Sequence, residues 1–427
     1  MRILLDVTRT LVHSQKSTPS GIDRVEHAYI RYLLSGKCGE DVWFIANTPL
    51  GRGALSRKQM LEIFDSIENQ HRQVNFPTRH SNFQDLIDVL ARPIDANRSR
   101  PLSLRSRRKA AGDSLWTVAV AFMNGFMQFR RLMSQDVQAV YLHTSHLQLD
   151  EPNCFSWLSR STVVPFFFVH DLIPIEFPEY CSAGATERHE RRIETVLRHA
   201  KGILVNSEFT RASLENYTRD RHLPATAVVP LANTISHGVI KLKTKSVGNP
   251  AFFLHVGTIE GRKNIGHLLN VWRRLIQVLG PESTPRLILI GRRGWECENV
   301  LSVIDRSREL ANHLIEVSDV NDSELQDLML RSAGLVTVSV TEGFGLPPVE
   351  AARLGLPVIA SDIPAHRETL RNAARFVPVH DGEALLNEVI SALRRSNDKP
   401  LPAQIEAIEW DRHVQSALVF VESELRR

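Results

Sequence analysis

The chain has 427 residues, 43% of them hydrophobic and 23% charged, which is typical of a soluble globular protein with two domains and excludes collagen-like, low-complexity and disordered classes. The formal net charge of +4 is too small for this length to indicate binding to nucleic acid. Four scattered cysteines without a CxxC pair favour neither a zinc ribbon nor a disulfide framework, and no apolar run reaches the roughly 18 residues of a membrane span. We therefore expect a cytoplasmic protein.

Short apolar runs alternate with longer amphipathic segments, which is the pattern of βα units around parallel sheets. The first set of predicted strands comprises Ile3–Val7, Val42–Ala46, Ala139–Leu142, Val164–Val169, Ile203–Val205 and Ala227–Val229. The second set comprises Phe252–Val256, Arg286–Ile290, Ile315–Val317, Leu335–Val338 and Pro357–Ala360. The predicted fold class is α/β, with two Rossmann-like, doubly wound parallel-sheet domains.

The domain boundary is predicted in Ile235–Pro250, which is rich in Lys, Ser and Gly and has no helical or strand periodicity. An N-terminal domain would span residues 1–236, a linker 237–250 and a C-terminal domain 251–404. The most regular helix is predicted after Asn264, as its N-cap, and before Gly280. Residues 405–427 are predicted to form a last amphipathic helix, Ile405–Leu425.

Residues 92–133 form an insertion of unusual composition. Arg92 to Lys109 carries seven basic residues against one acid, Asp95, and the almost wholly apolar Leu115–Met127 follows it. A basic loop beside an apolar helix suits an anionic membrane surface or a lipid-linked substrate. A solvated loop followed by a core helix explains the pattern equally well.

The most informative segment runs from Val338 to Glu350. An apolar strand ends at Thr341, a loop with Gly343 and Gly345 follows, and prolines stand where a helix begins. Backbone N–H groups at such a helix N-terminus bind phosphate, while carboxylates such as Glu342 and Glu350 accept hydrogen bonds from sugar hydroxyls. The combination indicates a nucleotide sugar. Alternatively, Glu350 only stabilises the helix dipole and Glu342 is an exposed loop acid.

The E-x7-E spacing of Glu342 and Glu350 around Gly-Phe-Gly-Leu-Pro-Pro resembles the signature of family 4 of the retaining nucleotide-sugar glycosyltransferases, which have the GT-B fold. The resemblance implies that Glu350 binds the ribose hydroxyls and that Glu342 faces the donor sugar. It also implies that the diphosphate or the sugar contacts the backbone amides of the loop, which are those of Gly343, Phe344, Gly345 and Leu346.

A second segment, His255 to Ile265, leads from a strand into a helix. Cations just before a helix N-terminus oppose its dipole, so Arg262 and Lys263 are unfavourable there unless an anion lies close by. By resemblance, Lys263 neutralises the leaving nucleoside diphosphate. Many family members have an Arg directly after the glycine that is Gly257 here, whereas this chain has Thr258; Arg262 or another residue would supply the second positive charge.

Two further segments resemble the N-terminal domain of this family. His170 follows a buried strand, and the resemblance implies that it hydrogen-bonds the donor sugar; a buried core histidine is the alternative. Gly21 matches a glycine loop that approaches the donor diphosphate, but Asp23 replaces its usual second glycine. Asp23 would either contact the acceptor or cap the following helix.

Weaker features complete the predicted site. Arg292 lies in a loop that resembles the family's base-side loop, so it would touch the nucleotide. His143 and His146 end another strand and face the acceptor side if that strand is assigned correctly. Single arginines and histidines are more often structural.

The reaction that the resemblance implies is transfer of a hexosyl unit, with retention at the anomeric carbon, to a lipid-linked, lipopolysaccharide or exopolysaccharide glycan. The segment from Val256 to Asn264 is similar to bacterial mannosyltransferases, so GDP-mannose ranks before a UDP-sugar. Without an Asp-x-Asp motif we expect neither a metal nor another cofactor. An epimerase of GT-B form and a non-catalytic nucleotide-sugar binding protein remain open, whereas the absence of Gly-x-Gly-x-x-Gly excludes a nicotinamide dehydrogenase.

Overall fold

The computed structural model describes residues 2–14, 19–39, 41–48, 51–75, 81–95, 98–105, 125–160, 162–232, 250–395, 405 and 408–427. The predicted linker, except for Pro250, lies outside these residues. So does most of the basic and apolar segment, namely 96–97 and 106–124.

Fourteen strands are present in the described chain. In chain order they are β1 (Arg2–Asp6), β2 (Asp41–Thr48), β3 (Gly51–Ser56), β4 (Leu102–Leu104), β5 (Ala139–His143), β6 (Val163–Val169), β7 (Gly202–Val205), β8 (Ala225–Val228), β9 (Phe252–Val256), β10 (Arg286–Ile290), β11 (Leu314–Val317), β12 (Gly334–Thr337), β13 (Val358–Ser361) and β14 (Arg375–Val377).

The strands form two seven-stranded sheets, in the orders β3-β2-β1-β5-β6-β7-β8 and β14-β13-β12-β9-β10-β11-β4. All neighbours pair in parallel except β2 and β3, which are antiparallel. The sheets are buried on both faces: in β6, Phe166 and Phe168 join one apolar cluster while Phe167 and Val169 join another. This double burial explains why the strands are continuous apolar runs rather than alternating ones.

The prediction of two doubly wound α/β domains is confirmed, and each predicted strand lies within two residues of an observed one. Three edge strands were missed, β3, β4 and β14. Edge strands are short and partly exposed, so their composition does not stand out from that of loops.

Strand β4 lies in the second sheet, although the predicted boundary at residue 236 assigns it to the N-terminal domain. It pairs with β11, and Ser103 Oγ donates to Glu316 Oε2 over 2.8 Å. Arg286 begins β10. Its guanidinium donates hydrogen bonds of 2.8 to 3.2 Å to three carbonyl oxygens that precede β4 in the chain, those of Val89, Leu90 and Arg92. Strand β4 therefore belongs to the second sheet, and residues 89–92 contact it.

The helices surround both sheets. They are α1 (Thr8–Val12), α2 (Gly21–Leu34), α3 (Arg57–Asn75), α4 (Ser81–Ala91), α5 (125–133), α6 (Ile173–Glu176), α7 (Ala185–His199), α8 (Glu208–Tyr217), α9 (Ile265–Leu279), α10 (Glu298–Arg306), α11 (Asp322–Arg331), α12 (Leu346–Arg353), α13 (Pro364–Leu370), α14 (Gly382–Arg395) and α15 (Trp410–Leu425).

Helix α9 follows the predicted stripe, because Leu268, Leu269, Trp272 and Leu275 are buried. Asn264 precedes it as predicted, but the expectation that its side chain caps the helix is wrong. Asn264 has a left-handed backbone, with φ of 54°. Its side-chain amide instead donates a hydrogen bond of 3.2 Å to the Val379 carbonyl oxygen.

Helix α15 packs on the first sheet. His413 Nδ1 lies 2.9 Å from the Pro230 carbonyl oxygen, and Phe420 contacts Phe166 edge to face. The second domain is therefore tied to the first by the end of the chain as well as by the linker. In the described part of the chain, no helix combines the length and the hydrophobicity that crossing a bilayer requires.

Candidate active site

The candidate site lies where loops from the ends of parallel strands in both sheets meet. The loop after β12 contains Gly343, whose carbonyl oxygen accepts a hydrogen bond of 2.8 Å from Ser207 Oγ, after β7. The Asn206 amide donates to the His170 carbonyl over 2.9 Å. A Cβ atom on Gly343 would lie only 2.4 Å from that same carbonyl oxygen. Ligands of open α/β sheets bind at such carboxyl ends, so this junction is the natural binding cleft.

Another contact joins the domains next to this junction. The Glu368 carboxylate of α13 accepts hydrogen bonds from the first two backbone amides of α8, those of Glu208 (2.7 Å) and Phe209 (3.0 Å). A carboxylate at a helix N-terminus satisfies amides that have no partner within the helix and also stabilises the helix dipole. No sequence pattern predicts this contact, because α8 and α13 meet only through the relative placement of the two domains.

Glu342 is a buried carboxylate of the cleft with several charged and polar partners. Only 7% of the residue is exposed, and its carboxylate contacts Lys263 Nζ, Arg262 (2.6 Å) and Ser339 Oγ (2.7 Å). Burial raises the pKa of this carboxyl, but the two cations lower it further, so that its pKa lies well below the usual range. Glu342 is therefore a buried, ionised hydrogen-bond acceptor, and the exposed-loop alternative is wrong.

Lys263 and Arg262 both lie at this carboxylate, which supplies the nearby anion that the sequence analysis requires but assigns to a diphosphate. Arg262 also forms an ion pair of 2.7 Å with Glu260, so the cluster of two cations and two carboxylates is formally neutral. Burial lowers the pKa of Lys263 despite the attraction of Glu342. Gly257 allows the lysine to pack this way, because a Cβ there would lie 3.2 Å from Lys263 Cε and the backbone φ is 150°.

The glycine loop leads directly into α12. Gly345 precedes the helix with a φ of 84°, a region that favours glycine, and a Cβ there would lie 3.3 Å from the ring of His366. Phe344 and Leu346 are more than nine-tenths buried. The loop thus turns sharply into the helix, with its backbone close to Glu342.

Glu350 lies further along helix α12 than the sequence analysis predicts, and it is buried. It is the fifth residue of α12 rather than part of the first turn, and only 2% of it is exposed. Its Oε1 lies 3.1 Å from Arg24 NH1, and Arg24 also pairs with Asp322. Because Glu350 has a specific charged partner, helix-dipole stabilisation does not describe its environment.

Arg24 was missed by the sequence analysis, although a signal was present. It is the fourth residue of α2, and a cation in the first turn of a helix opposes the dipole. The same reasoning identified Arg262 and Lys263, and here too the structure places carboxylates next to the cation.

His170 is buried at the end of β6. Its Nε2 lies 2.9 Å from the Thr144 carbonyl oxygen, so the ring proton is on Nε2, and the ring stacks on Phe168. The His170 backbone N–H donates to His146 Nε2 over 3.1 Å. Burial lowers the pKa of His170 to about 4, so the imidazole is neutral near pH 7.

The other two histidines serve the core around His170. His143 is 2% exposed and lies among aromatic rings, 5.5 Å from Phe155 and 5.9 Å from Phe167 between centroids. His146 lies between His170 and His189, with ring centroids 5.2 and 5.1 Å away. Both contacts fit the structural alternative, and burial lowers the pKa of both rings.

The glycine loop of the first domain begins α2. A Cβ on Gly21 would lie 3.6 Å from Leu346 Cδ1, so the two loops face each other. Asp23 accepts hydrogen bonds from the Ser20 amide (2.8 Å) and hydroxyl (2.7 Å), and Arg9 donates to it over 2.6 Å. Asp23 thus caps the helix as part of a capping box, and these contacts do not support its assignment as an acceptor contact.

Thr258 and Arg292 lie on adjacent loops. The Ile259 amide donates to the Arg292 carbonyl over 2.8 Å, and Gly291 is so close to Gly257 that a Cβ would meet its carbonyl oxygen at 1.9 Å. The Arg292 side chain is 47% exposed and pairs with Asp319 at 3.1 Å. Among the described residues, no group of three or more His, Cys, Asp or Glu side chains is arranged to hold a metal ion.

Known sequences similar to this chain are glycosyltransferases. Residues 239–407 match the family described as "Glycosyl transferases group 1". Two relatives from Escherichia coli, "O-antigen chain mannosyltransferase B" and "Serotype-specific mannosyltransferase WbdA", are 28% identical over 257 residues and 26% identical over 296 residues. These matches cover 57% and 64% of this chain but 66% and 36% of the relatives, so the chain spans about two thirds of the first relative and about a third of the second.

Among solved structures, the crystal structure of Anabaena Alr3699/HepE in complex with UDP and glucose is similar, with a TM-score of 0.60 at 14% identity. The match covers 99% of this chain and 100% of that chain. At this identity the likeness concerns the fold alone. Residues 239–407 are therefore similar to the group 1 glycosyl transferases, and the two facing seven-stranded sheets of the chain form the GT-B fold.

Proposed function

We propose that the chain is a retaining glycosyltransferase that moves a hexosyl unit, mannose before other sugars, from a nucleotide diphosphate sugar to a hydroxyl of a lipid-linked, lipopolysaccharide or exopolysaccharide glycan. The proposal is carried by the buried Glu342 carboxylate, which Lys263 and Arg262 hold beside the glycine loop between the two sheets. A fixed acceptor for sugar hydroxyls next to backbone amides and cations suits a sugar joined to a diphosphate.

The donor would lie along the glycine loop. Glu350 would accept hydrogen bonds from the ribose, and Glu342 together with His170 would bind the sugar. Lys263 would turn from Glu342 towards the diphosphate, whose negative charges offset the desolvation that lowers the pKa of this lysine. Arg292, at the rim, would contact the base.

The protonation states of Glu342 and His170 do not favour a general acid or base among the two groups proposed to bind the sugar. Glu342 stays ionised and His170 stays neutral near pH 7, so neither group suits proton transfer at that pH. We infer that the bond between the anomeric carbon and the diphosphate breaks while the acceptor oxygen bonds to the same face. The acceptor proton then passes to the departing phosphate, and Lys263 stabilises the charge left on it.

The choice of donor follows the relatives. Both curated relatives are named as mannosyltransferases, which favours GDP-mannose. The structural neighbour Alr3699/HepE holds UDP and glucose, so a UDP-sugar is the second candidate.

We also propose that the enzyme works at the cytoplasmic face of a membrane. Arg100 and Arg105 are exposed in the described part of the basic segment, as are Phe126 and Met127 at the end of the apolar one. Exposed cations and exposed apolar side chains are both features that favour binding to anionic lipid. Sedimentation with vesicles of anionic and of neutral lipid tests this proposal, since only the anionic vesicles should retain the protein.

The transfer reaction is tested with purified protein, GDP-mannose or UDP-glucose, and a mannose-terminated oligosaccharide. We expect nucleoside diphosphate release from GDP-mannose, an α-linked product by NMR, and rates that EDTA leaves unchanged. Glu342→Gln should abolish transfer, whereas Arg367→Gln, at an exposed ion pair of α13, should retain it. Conversion of the donor to another nucleotide sugar would indicate the epimerase, and donor binding without turnover a binding protein.

A further inference from the structure

Arg24 belongs to the first domain, but its guanidinium contacts the second. NH1 lies 3.1 Å from Glu350 Oε1, and NH2 pairs with Asp322 at the start of α11. The two ion pairs use different nitrogens of one planar group, so together they fix the orientation of the guanidinium as well as its position.

The ion pair between Arg24 and Glu350 is largely buried. Glu350 is only 2% exposed, and the Arg24 side chain is 16% exposed. A carboxylate that has lost its water requires a charged or hydrogen-bonding partner to stay ionised in a defined orientation. For Glu350, one such partner, Arg24, comes from the opposite side of the cleft.

The backbone explains why the two residues meet. Helices α2 and α12 begin at Gly21 and Leu346, and a Cβ on Gly21 would lie 3.6 Å from Leu346 Cδ1. Arg24 lies one turn into α2 and Glu350 one turn into α12, so the contact holds only when the two helix N-termini lie against each other.

We propose that Arg24 is a positioning residue for ribose recognition: it holds the Glu350 carboxylate in the orientation that accepts hydrogen bonds from the ribose hydroxyls. This inference rests on the proposed function, in which Glu350 binds the ribose. It follows that the second domain alone carries the group that recognises the ribose, but needs the first domain to orient it. Selection of a ribonucleotide is thus coupled to domain closure.

The test is the ratio of the affinities for GDP and for 2′-deoxy-GDP, measured by calorimetry on the full chain. If Arg24 only supports folding or adds positive charge, its loss changes both affinities equally, whereas a group that orients Glu350 changes the ratio. We expect the parent to prefer GDP by about tenfold, the effect of one hydrogen bond to a charged group. Arg24→Gln and Glu350→Gln should each bring the ratio close to one.

Two further variants complete the design. Arg24→Lys keeps the positive charge but loses the planar guanidinium. Its affinity for GDP and its ratio of the two affinities should therefore lie between those of Arg24→Gln and those of the parent. Arg31→Gln removes an arginine from the same helix, paired with Glu68, and should leave the ratio at the parent value. Thermal unfolding of each variant shows whether it is folded.

The outcomes are distinct. A parental ratio in Arg24→Gln, with a lost ratio in Glu350→Gln, overturns the inference while leaving the proposed function intact. The inference is also overturned if Arg24→Gln lowers the affinities for GDP and 2′-deoxy-GDP equally. The same holds if the parent protein binds both nucleotides with the same affinity. If the parent binds neither GDP nor UDP, the proposed function fails and this inference falls with it.

Discussion

Glu342 and Glu350 flank the same glycine loop, yet their counter-charges come from opposite sides of the cleft. Glu342 contacts Lys263 and Arg262, which belong to its own domain. Glu350 contacts Arg24, which belongs to the other one. The cluster of Glu342 and its cations is thus complete within the second domain, whereas Glu350 meets Arg24 only when the domains come together. In this fold, preorganisation and closure act on different groups of one ligand.

Replacement of Glu342 should have the largest effect. Glu342→Gln leaves Lys263 and Arg262 without their shared carboxylate in a buried cluster, so we expect the free energy of unfolding to fall by about 3 kcal/mol. Chemical denaturation measures the loss. The double variant Glu342→Gln/Lys263→Met removes one cation together with the anion and should lose less; a larger loss would contradict the local pairing.

Gly343→Ala should separate the domains without touching any of these charges. The added Cβ would lie 2.4 Å from the His170 carbonyl oxygen, which is backbone and cannot rotate away. We expect turnover to fall about a hundredfold, because small displacements of reacting groups are costly, and small-angle scattering should show a more open molecule. Gly266→Ala is the matched control, since its Cβ meets Val300 at an ordinary 3.4 Å. An unchanged turnover would mean that closure is not needed.

The first domain buries a glutamate whose carboxylate accepts its hydrogen bonds from uncharged groups. Glu26 is fully buried and accepts hydrogen bonds from the Thr10 amide (2.7 Å) and hydroxyl (2.6 Å). Burial, with a smaller contribution from Asp6, raises its pKa from 4.5 to about 8, whereas the pKa of Glu342 is lowered by its cations. Ionisation therefore opposes folding at Glu26 and favours it at Glu342.

This difference predicts the pH dependence of stability. The contribution of Glu26 is complete below pH 4.5 and is lost as the pH rises towards 8. Buried histidines such as His170 and His413, whose pKa values burial lowers to about 4, act in the opposite sense and add stability as the pH rises from 4 to 6.5. We expect maximal stability near pH 6.5 and a fall of about 2 kcal/mol by pH 8.

Glu26→Gln is the control for the alkaline side. It should remove the fall between pH 6.5 and 8, make the rise between pH 4.5 and 6.5 steeper, and leave the behaviour below pH 4.5 unchanged, as measured by the melting temperature over this range. A parent that is equally stable at pH 6.5 and pH 8 would show that Glu26 is ionised in the folded protein.

The smallest effect is expected at Arg292. Its side chain is 47% exposed, so Arg292→Ala should change the unfolding free energy by no more than about 0.5 kcal/mol. If Arg292 contacts the base, the relative affinity for GDP and UDP in calorimetric titrations should still change. A large loss of stability would mean that Arg292 is a structural residue.

The chemistry of the second domain was predictable from local sequence. Loops after parallel strands converge at one edge of a sheet, so the segments of Lys263 and Glu342 were both predicted at one donor cleft once β9 and β12 were recognised as strands. The neutral cluster was not predicted, because Glu260 carried no signal of its own until its contact with Arg262 was seen.

What could not be predicted depends on contacts between distant segments. Arg24 and Glu350 lie 326 residues apart, and β4 joins a sheet whose other strands all follow the linker. Such pairings are set by the relative placement of two domains, on which hydrophobic periodicity carries no information. Asp23 shows the opposite case: the residue was noticed, but only its contacts distinguished a helix cap from an acceptor contact.

The most direct test of the account compares Glu342→Gln with Glu350→Gln, measuring for each the dissociation constant of GDP and the rate of GDP release from GDP-mannose. Glu350→Gln should weaken GDP about tenfold, because a hydrogen bond from the ribose to a charged group is lost. Glu342→Gln should leave GDP affinity within about threefold of the parent while turnover falls at least about a hundredfold. If both variants bind and turn over like the parent, the cleft between the two sheets is not the donor site.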